Sequence, residues 1–218
     1  MNTDFWLARW AKNEIGFHQR SINPYLVKYW STLGVERSGR AFVPLCGKTL
    51  DMRWLSESYH QSVLGVEIAR NACADFFAEW EVTPEISNVE SFERFSARGV
   101  EILCGDFFDL RAHHLSAVTG VFDRAALIAL PPPLRARYAE HLQRIIPRGV
   151  PIVLIAPEYA QHEMNGPPFA VSEAEIRELF AQRRVDVLET IDITAQADNA
   201  RFRERGVTRL VERVCKIE

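Results

Sequence analysis

An α/β fold built on a mostly parallel, seven-stranded sheet is predicted by three features of the sequence. Short apolar runs of buried-strand type alternate with segments carrying helical stripes. Several of these runs stop abruptly at a glycine corner or an acid. The last part of the chain then changes to alternating apolar and polar residues, which suits an antiparallel pair at a sheet edge. A single domain over residues 1–218 is expected, with 1–35 as an N-terminal helical lid and 36–218 as an α/β core.

Residues 3–14 form the first predicted helix. Thr3 can cap it, Asp4 suits its positive end, and Phe5, Trp6 and Trp10 share one side. That aromatic face either anchors the helix on the core or covers a ligand. Asn23-Pro24 opens a second helix as N-cap and first helical residue, with Tyr25, Leu26, Tyr29 and Leu33 as its stripe and Gly34 as its stop. Ala41-Phe42-Val43 is the first strand. Pro44 ends its ladder because it has no N–H to donate, and Leu45-Cys46-Gly47 turns the corner into a helix whose stripe starts at Met52 and Leu55. Gln61–Glu67 is the second strand, followed by a helix over Ala69–Trp80. Pro84 to Gly99 is the least regular segment and is expected to be an insertion. Val100–Cys104 and Val118–Phe122 are the third and fourth strands, ending in Gly105-Asp106-Phe107 and Asp123-Arg124. Pro131-Pro132-Pro133 opens a helix bearing Leu134, Tyr138, Leu142, Ile145 and Ile146, and Val150–Ala156 is the fifth strand. A Gly/Pro loop over Gln161–Ala170 precedes the S-x-x-E capping box Ser172–Glu175. Strands over Arg184–Thr194 and Val207–Ile217, joined by a loop over Ala195–Gly206, complete the sheet.

Bulk composition narrows the function. At 218 residues, 47% apolar and 25% charged, the chain is ordinary for a globular protein with a sizeable core. A net charge of −3 argues against nucleic acid, which needs a concentrated basic patch. The 4 cysteines show no C-x-x-C spacing and the 6 histidines no H-E-x-x-H, so no metal is expected; His113-His114 is a helix-end pair. Cys46 is expected to be a small buried packing residue. No signal segment and no apolar run of roughly 20 residues appears, so a cytoplasmic protein without membrane attachment is expected.

In parallel sheets ligands sit beyond the carboxyl ends of the strands. Here those ends carry Leu45–Lys48, Glu67, Asp106-Phe107 and Asp123-Arg124. Gly47-Lys48-Thr49 is not a Walker A loop, because Phe42 stands where its first glycine is required. No G-x-G-x-x-G is present either. Glu67 lies about 20 residues after Gly47, the offset at which an acid meets ribose hydroxyls. One glycine in the first corner suits a ligand with ribose and adenine but no phosphate, such as S-adenosylmethionine. A seven-stranded order with a terminal antiparallel pair belongs to the class I methyltransferases that use it, so a Rossmann-like fold of that class is expected.

F-W-x-x-R-W, F-H-Q, V-P-L-C-G-K-x-x-D-M-x-W-L, V-L-G-V-E-I, D-F-F-D-L, F-D-R-A-A-L-I-A-L-P-P and G-P-P-F-x-V together resemble the thiopurine S-methyltransferase family in its shorter bacterial form. The match runs from Phe5 to about Val211. The resemblance implies a cofactor site of Trp10, Leu45, Glu67 and Arg124, with the backbone around Asp106-Phe107 facing the adenine. It implies in-line methyl transfer from S-adenosylmethionine to a small aromatic or heteroaromatic thiol, without metal. Arg201 matches a family position over the acceptor, where Arg124 assists, and Phe17 and Phe169 line the acceptor side. Trp10 then covers the cofactor. Alternatives are other soft acceptors (selenium or tellurium species, a halide) or a sensor that binds S-adenosylmethionine without turnover. The expected partner is a small molecule only, and the expected state a monomer.

Overall fold

A computed structural model of the chain describes residues 3–218, and of Asp198 the backbone alone. Residues 1–2 of the proposed lid lie outside the described residues. The chain forms two compact units, one running to Phe122 and including Ile145–Val150, the other made of Asp123–Arg144 and Pro151–Glu218.

The first unit contains, in order, α1 (Thr3–Ala11), α2 (Pro24–Tyr29), β1 (Arg40–Pro44), α3 (Asp51–Glu57), β2 (Ser62–Glu67), α4 (Arg70–Glu79), β3 (Glu85–Val89), β4 (Phe92–Ala97), β5 (Val100–Cys104) and β6 (Val118–Asp123). Its strand order is β3-β4-β5-β2-β1-β6. The central strands β5, β2, β1 and β6 run parallel, whereas β3 and β4 are antiparallel additions at the edge. The chain leaves β1 toward β2 and β5, then returns to β6 on the other side of β1. The carboxyl end of β1 is therefore the switch point at which such sheets bind ligands.

The second unit holds α5 (Ala126–Ala129), α6 (Pro132–Ile145), β7 (Ile152–Glu158), α7 (Glu173–Leu179), β8 (Val185–Asp192), α8 (Ala200–Glu204) and β9 (Val211–Ile217), with strand order β7-β9-β8, all antiparallel. The fold is thus α/β, with a parallel central sheet and antiparallel edge strands, and the described residues form nine strands instead of seven.

The two extra strands correct the expectation for Pro84–Gly99. That segment is a hairpin, not an irregular insertion. Its outer strand β3 is the sheet edge and is largely exposed, while β4, between β3 and β5, buries only Phe92 and Phe95, three residues apart, so neither strand shows a clean period of two. The connection from β4 to β5 is the two-residue turn Arg98-Gly99, with φ of 47° and 77°, closed by the Ala97–Val100 pair. Positive φ at both turn residues matches the right-handed twist of the flanking strands. Arg-Gly is a weak signal for that turn, and the pair is easily read as loop.

Other boundaries shift for local reasons. The first helix spans Thr3–Ala11, ending before Asn13, whose φ is 54°. Asn23 caps α2 as expected, its side chain accepting from the Tyr25 N–H at 2.9 Å with Pro24 behind it. Trp30 then sinks fully into the core, donating its indole N–H to Gln61. A Cβ at Gly120 would meet its ring at 2.9 Å, so β6 passes the indole only because residue 120 is glycine. Ser172 caps α7 by accepting the Glu175 N–H at 3.2 Å, while the Glu175 carboxylate pairs with Arg135. The segment Ala195–Gly206, expected as a loop, contains α8.

Candidate active site

Leu45 and Gly47 turn the chain after β1 with positive φ, 47° and 52°. Glycine accepts that conformation freely; leucine does not, at a cost of about 1–2 kcal/mol. The corner is held by Glu67. One carboxylate oxygen accepts the Gly47 N–H at 2.8 Å and the other the Ala69 N–H at 2.9 Å. The side chain is 6% exposed, and desolvation pushes its pKa up against the pull of those backbone donors. The Ile68 N–H also acts on this carboxylate, which with about four acceptor sites still has capacity left. A buried carboxylate with spare acceptor capacity suits a pair of hydroxyl donors better than a phosphate.

Lys48 serves the fold. It is 8% exposed, its ammonium 2.6 Å from Glu79 and 3.8 Å from Asp75, so it fastens the corner to α4. Cys46 is buried, and a Cβ at Gly65 would lie 2.7 Å from its sulfur. Desolvation raises that thiol well above its ordinary pKa, with the Glu67 charge adding to the effect. A thiol so placed is a packing group and a poor nucleophile.

Trp10 lies over the corner. It is 6% exposed and packs with Ala69, Ala72, Ile15 and Phe17, and a Cβ on Gly47 would come within 2.9 Å of its ring. Phe17 stands edge-on to both Trp10 and Trp6. The indole N–H of Trp6 is buried without a partner. Spacing groups Phe5, Trp6 and Trp10 on one side of the helix, but the orphaned Trp6 donor has no signature in that spacing. Asp106 follows β5 and uses its carboxylate to accept the Phe108 N–H at 2.9 Å, and Phe107 is buried. The first unit therefore brings Trp10, Leu45 and Glu67 together with Phe17, and puts Asp106-Phe107 after the strand that pairs with β2 in register Glu67–Cys104.

The second unit carries the remaining candidates. Asp123 is 1% exposed and accepts from the Ala126 and Leu127 N–H groups and from the Tyr138 hydroxyl at 2.7 Å. Desolvation lifts its pKa to about 6 despite those three donors. It anchors the turn that carries Arg124, a role that sequence spacing did not reveal. Phe169 donates its N–H to the Ile128 carbonyl at 2.8 Å, and its ring folds onto Gly166, where a Cβ would sit 2.6 Å away. Arg201 stands on α8; desolvation and the charges of Arg205 and Arg124 lower its pKa. Arg124 and Arg201 thus act on one another.

One group among the described residues has metal-capable atoms close together: Glu90, His113 and His114. His114 Nδ1 accepts the Arg111 N–H at 3.0 Å, so in the neutral ring Nε2 carries the proton and has no lone pair for a metal. His113 Nε2 is already 2.8 Å from Glu90.

The parallel central strands and the switch-point corner at the end of β1 are the arrangement found in α/β methyltransferases that use S-adenosylmethionine. A solved S-adenosylmethionine-dependent methyltransferase from Anabaena variabilis shares this fold, with a TM-score of 0.66 at 12% identity over 100% of this chain and 95% of that one. The family model described as thiopurine S-methyltransferase matches residues 1–218. Relatives named thiopurine S-methyltransferase include one from Nitrosospira multiformis, 48% identical over 98% of this chain and 96% of its own, and one from Azotobacter vinelandii, 46% identical over 100% and 99%. The chain belongs to the thiopurine S-methyltransferase family and is an S-adenosylmethionine-dependent methyltransferase.

Proposed function

We propose that the enzyme methylates the sulfur of small aromatic or heteroaromatic thiols. When bound, S-adenosylmethionine would supply an already activated methyl group on a sulfonium: an acceptor thiolate would form its sulfur–carbon bond as the methyl–sulfonium bond breaks, with S-adenosylhomocysteine as the leaving group. The protein's work is to bind, align and exclude water. Glu67 accepts the ribose hydroxyls on its spare lone pairs, Leu45 and the Gly47 turn pass along the cofactor, and Asp106-Phe107 lies at the adenine. Trp10 and α1, with residues 1–35 as a lid, cover it. Arg124 meets the methionine carboxylate or assists the acceptor. Phe17 and Phe169 line the acceptor side.

Arg201 carries this reading. It has no carboxylate partner among the described residues, and a cation beside the acceptor favours the thiolate over the thiol. A sensor would have no use for it. Arg201→Ala tests the reading: kcat/KM for an aromatic thiol is expected to fall at least tenfold, about 1.4 kcal/mol, while S-adenosylhomocysteine binds within threefold of the parent. Equal losses in both would remove Arg201 from the acceptor. Binding without transfer by the parent enzyme would leave a sensor, and transfer only to selenium, tellurium or halide acceptors would replace the thiol.

A further inference from the structure

Three thiols gather on one face of the sheet beside Glu67. Glu67 on β2 pairs with Cys104 on β5, and Cys104 in turn pairs with Glu93 on β4. Residues opposite one another across strands point to the same face, and every second residue along each strand joins them. Gly65 therefore shares that face, and a Cβ built on it would lie 2.7 Å from the Cys46 sulfur. Helix α4 covers the same face. Its Arg70 reaches Glu93 at 2.7 Å and lies 5.4 Å over the ring of Phe95, which pairs with Ile102, two residues before Cys104. In the first turn of α4 stands Cys73, whose thiol donates a hydrogen bond to the Cys104 sulfur.

This pair differs from the other two cysteines. Cys46 and Cys215 are buried, and desolvation raises both thiols. Cys104 alone is partly exposed. The hydrogen it receives from Cys73 lowers its pKa, against desolvation and the charges of Glu93 and Glu67, whereas Cys73, fully buried, is raised by giving it. A reachable sulfur with thiolate character, backed by a buried thiol in contact with it, is the arrangement of an attacking and a resolving cysteine. The two lie far apart in the sequence, so no C-x-x-C spacing announces them.

We infer that Cys104 and Cys73 are a site of oxidation by hydroperoxides, closing to a disulfide that weakens cofactor binding. The Cys104 thiolate attacks one oxygen of the hydroperoxide. The O–O bond breaks, the sulfur becomes a sulfenic acid, and the other oxygen leaves with a proton as water or an alcohol. The Cys73 thiol then gives up its proton and forms the S–S bond as the sulfenic S–O bond breaks, releasing water. Two electrons pass from the thiols to the peroxide, and a dithiol returns them by exchange. Both cysteines adjoin groups that hold Glu67. Cys73 donates its N–H to the Ala69 carbonyl at 3.2 Å, and the Ala69 N–H donates to the Glu67 carboxylate at 2.9 Å. Cys104 precedes Gly105, whose N–H donates to the Glu67 carbonyl at 2.9 Å. An S–S bond is shorter than any thiol–thiol hydrogen bond, so closing it draws the first turn of α4 toward β5. That turn carries the Ala69 donor of Glu67 and also Ala72, on which Trp10 packs. The inference does not depend on which acceptor is methylated.

The test treats the reduced protein with hydrogen peroxide, quenches it, and maps its peptides without reductant. The expected product is one cross-link between the Cys73 and Cys104 peptides, reversed by dithiothreitol. Cys73→Ala should halt the reaction at a Cys104 sulfenic acid that dimedone traps, and Cys104→Ser should give neither product. Calorimetry on the oxidised parent should show S-adenosylhomocysteine bound roughly threefold or more weakly, the scale of one weakened hydrogen bond, with recovery on reduction. Peroxide should leave the affinity of Cys104→Ser unchanged, which separates the disulfide from oxidation elsewhere. A parent that gives no Cys73–Cys104 cross-link, or one linked through Cys46 instead, overturns the inference. So does an oxidised parent that binds S-adenosylhomocysteine as tightly as the reduced one.

Discussion

Replacing Glu67 separates a cofactor ligand from a merely structural acid. The carboxylate accepts two backbone N–H groups, from Gly47 at 2.8 Å and Ala69 at 2.9 Å. Glutamine keeps one acceptor oxygen but turns an NH2 toward the other donor, leaving a buried N–H unmet at a cost of about 1–3 kcal/mol. For a chain of this size that lowers Tm by roughly 2–12 °C. The ribose contribution is additional. Two hydroxyls donating to a buried anion lose about 1.5–3 kcal/mol with the charge, or roughly 10- to 150-fold in affinity. Calorimetry with S-adenosylhomocysteine on folded Glu67→Gln and Glu67→Ala measures this directly. A pH series adds a second sign. Burial raises the pKa of Glu67 in the free protein, and the ionised form is the better acceptor. Affinity should therefore rise with pH through that raised pKa in the parent, and stay flat in Glu67→Gln. If both variants fold and bind within threefold of the parent, Glu67 belongs to the turn alone.

Gly47→Ala should lose stability by about 1–2 kcal/mol from the positive φ, and weaken S-adenosylhomocysteine because its Cβ would drive Trp10 off the corner; unchanged Trp10 fluorescence and affinity would refute the packing argument. Asp123 titrates near pH 6 in the folded chain against 3.8 as a free side chain. Its folded pKa is the higher one, so its contribution is most favourable below about pH 4 and is lost as pH rises to about 6, by about 3 kcal/mol in all. Asp123→Asn, which can still accept from Ala126 or Leu127 and donate to Tyr138, should remove that slope from urea-unfolding curves measured between pH 4 and 7; an unaltered slope would place the titration elsewhere.

How far the sequence could be read follows the range of the interactions involved. The Pro44–Gly47 corner and Glu67 were legible because a missing N–H, a missing Cβ and a fixed offset are local signals. The true task of Lys48 was not, since Asp75 and Glu79 meet it only after α4 packs. The β3-β4 hairpin escaped because an edge strand needs no sustained apolar alternation, and its Arg98-Gly99 turn has little identity beyond a positive φ. Helix α8 escaped for a similar reason: five residues rich in arginine have no stripe to count, and only Phe202 is buried. The arginines proposed for the acceptor are therefore the residues a pattern of spacing describes least.

Transfer of a labelled methyl group tests the central claim most directly. With S-adenosylmethionine carrying 13C in the methyl group and an aromatic thiol as acceptor, the account predicts a single product whose label is bonded to sulfur, formed by the parent and at least tenfold more slowly by Arg201→Ala. Label on nitrogen or oxygen of the acceptor, or no transfer by a protein that binds S-adenosylhomocysteine, would contradict it.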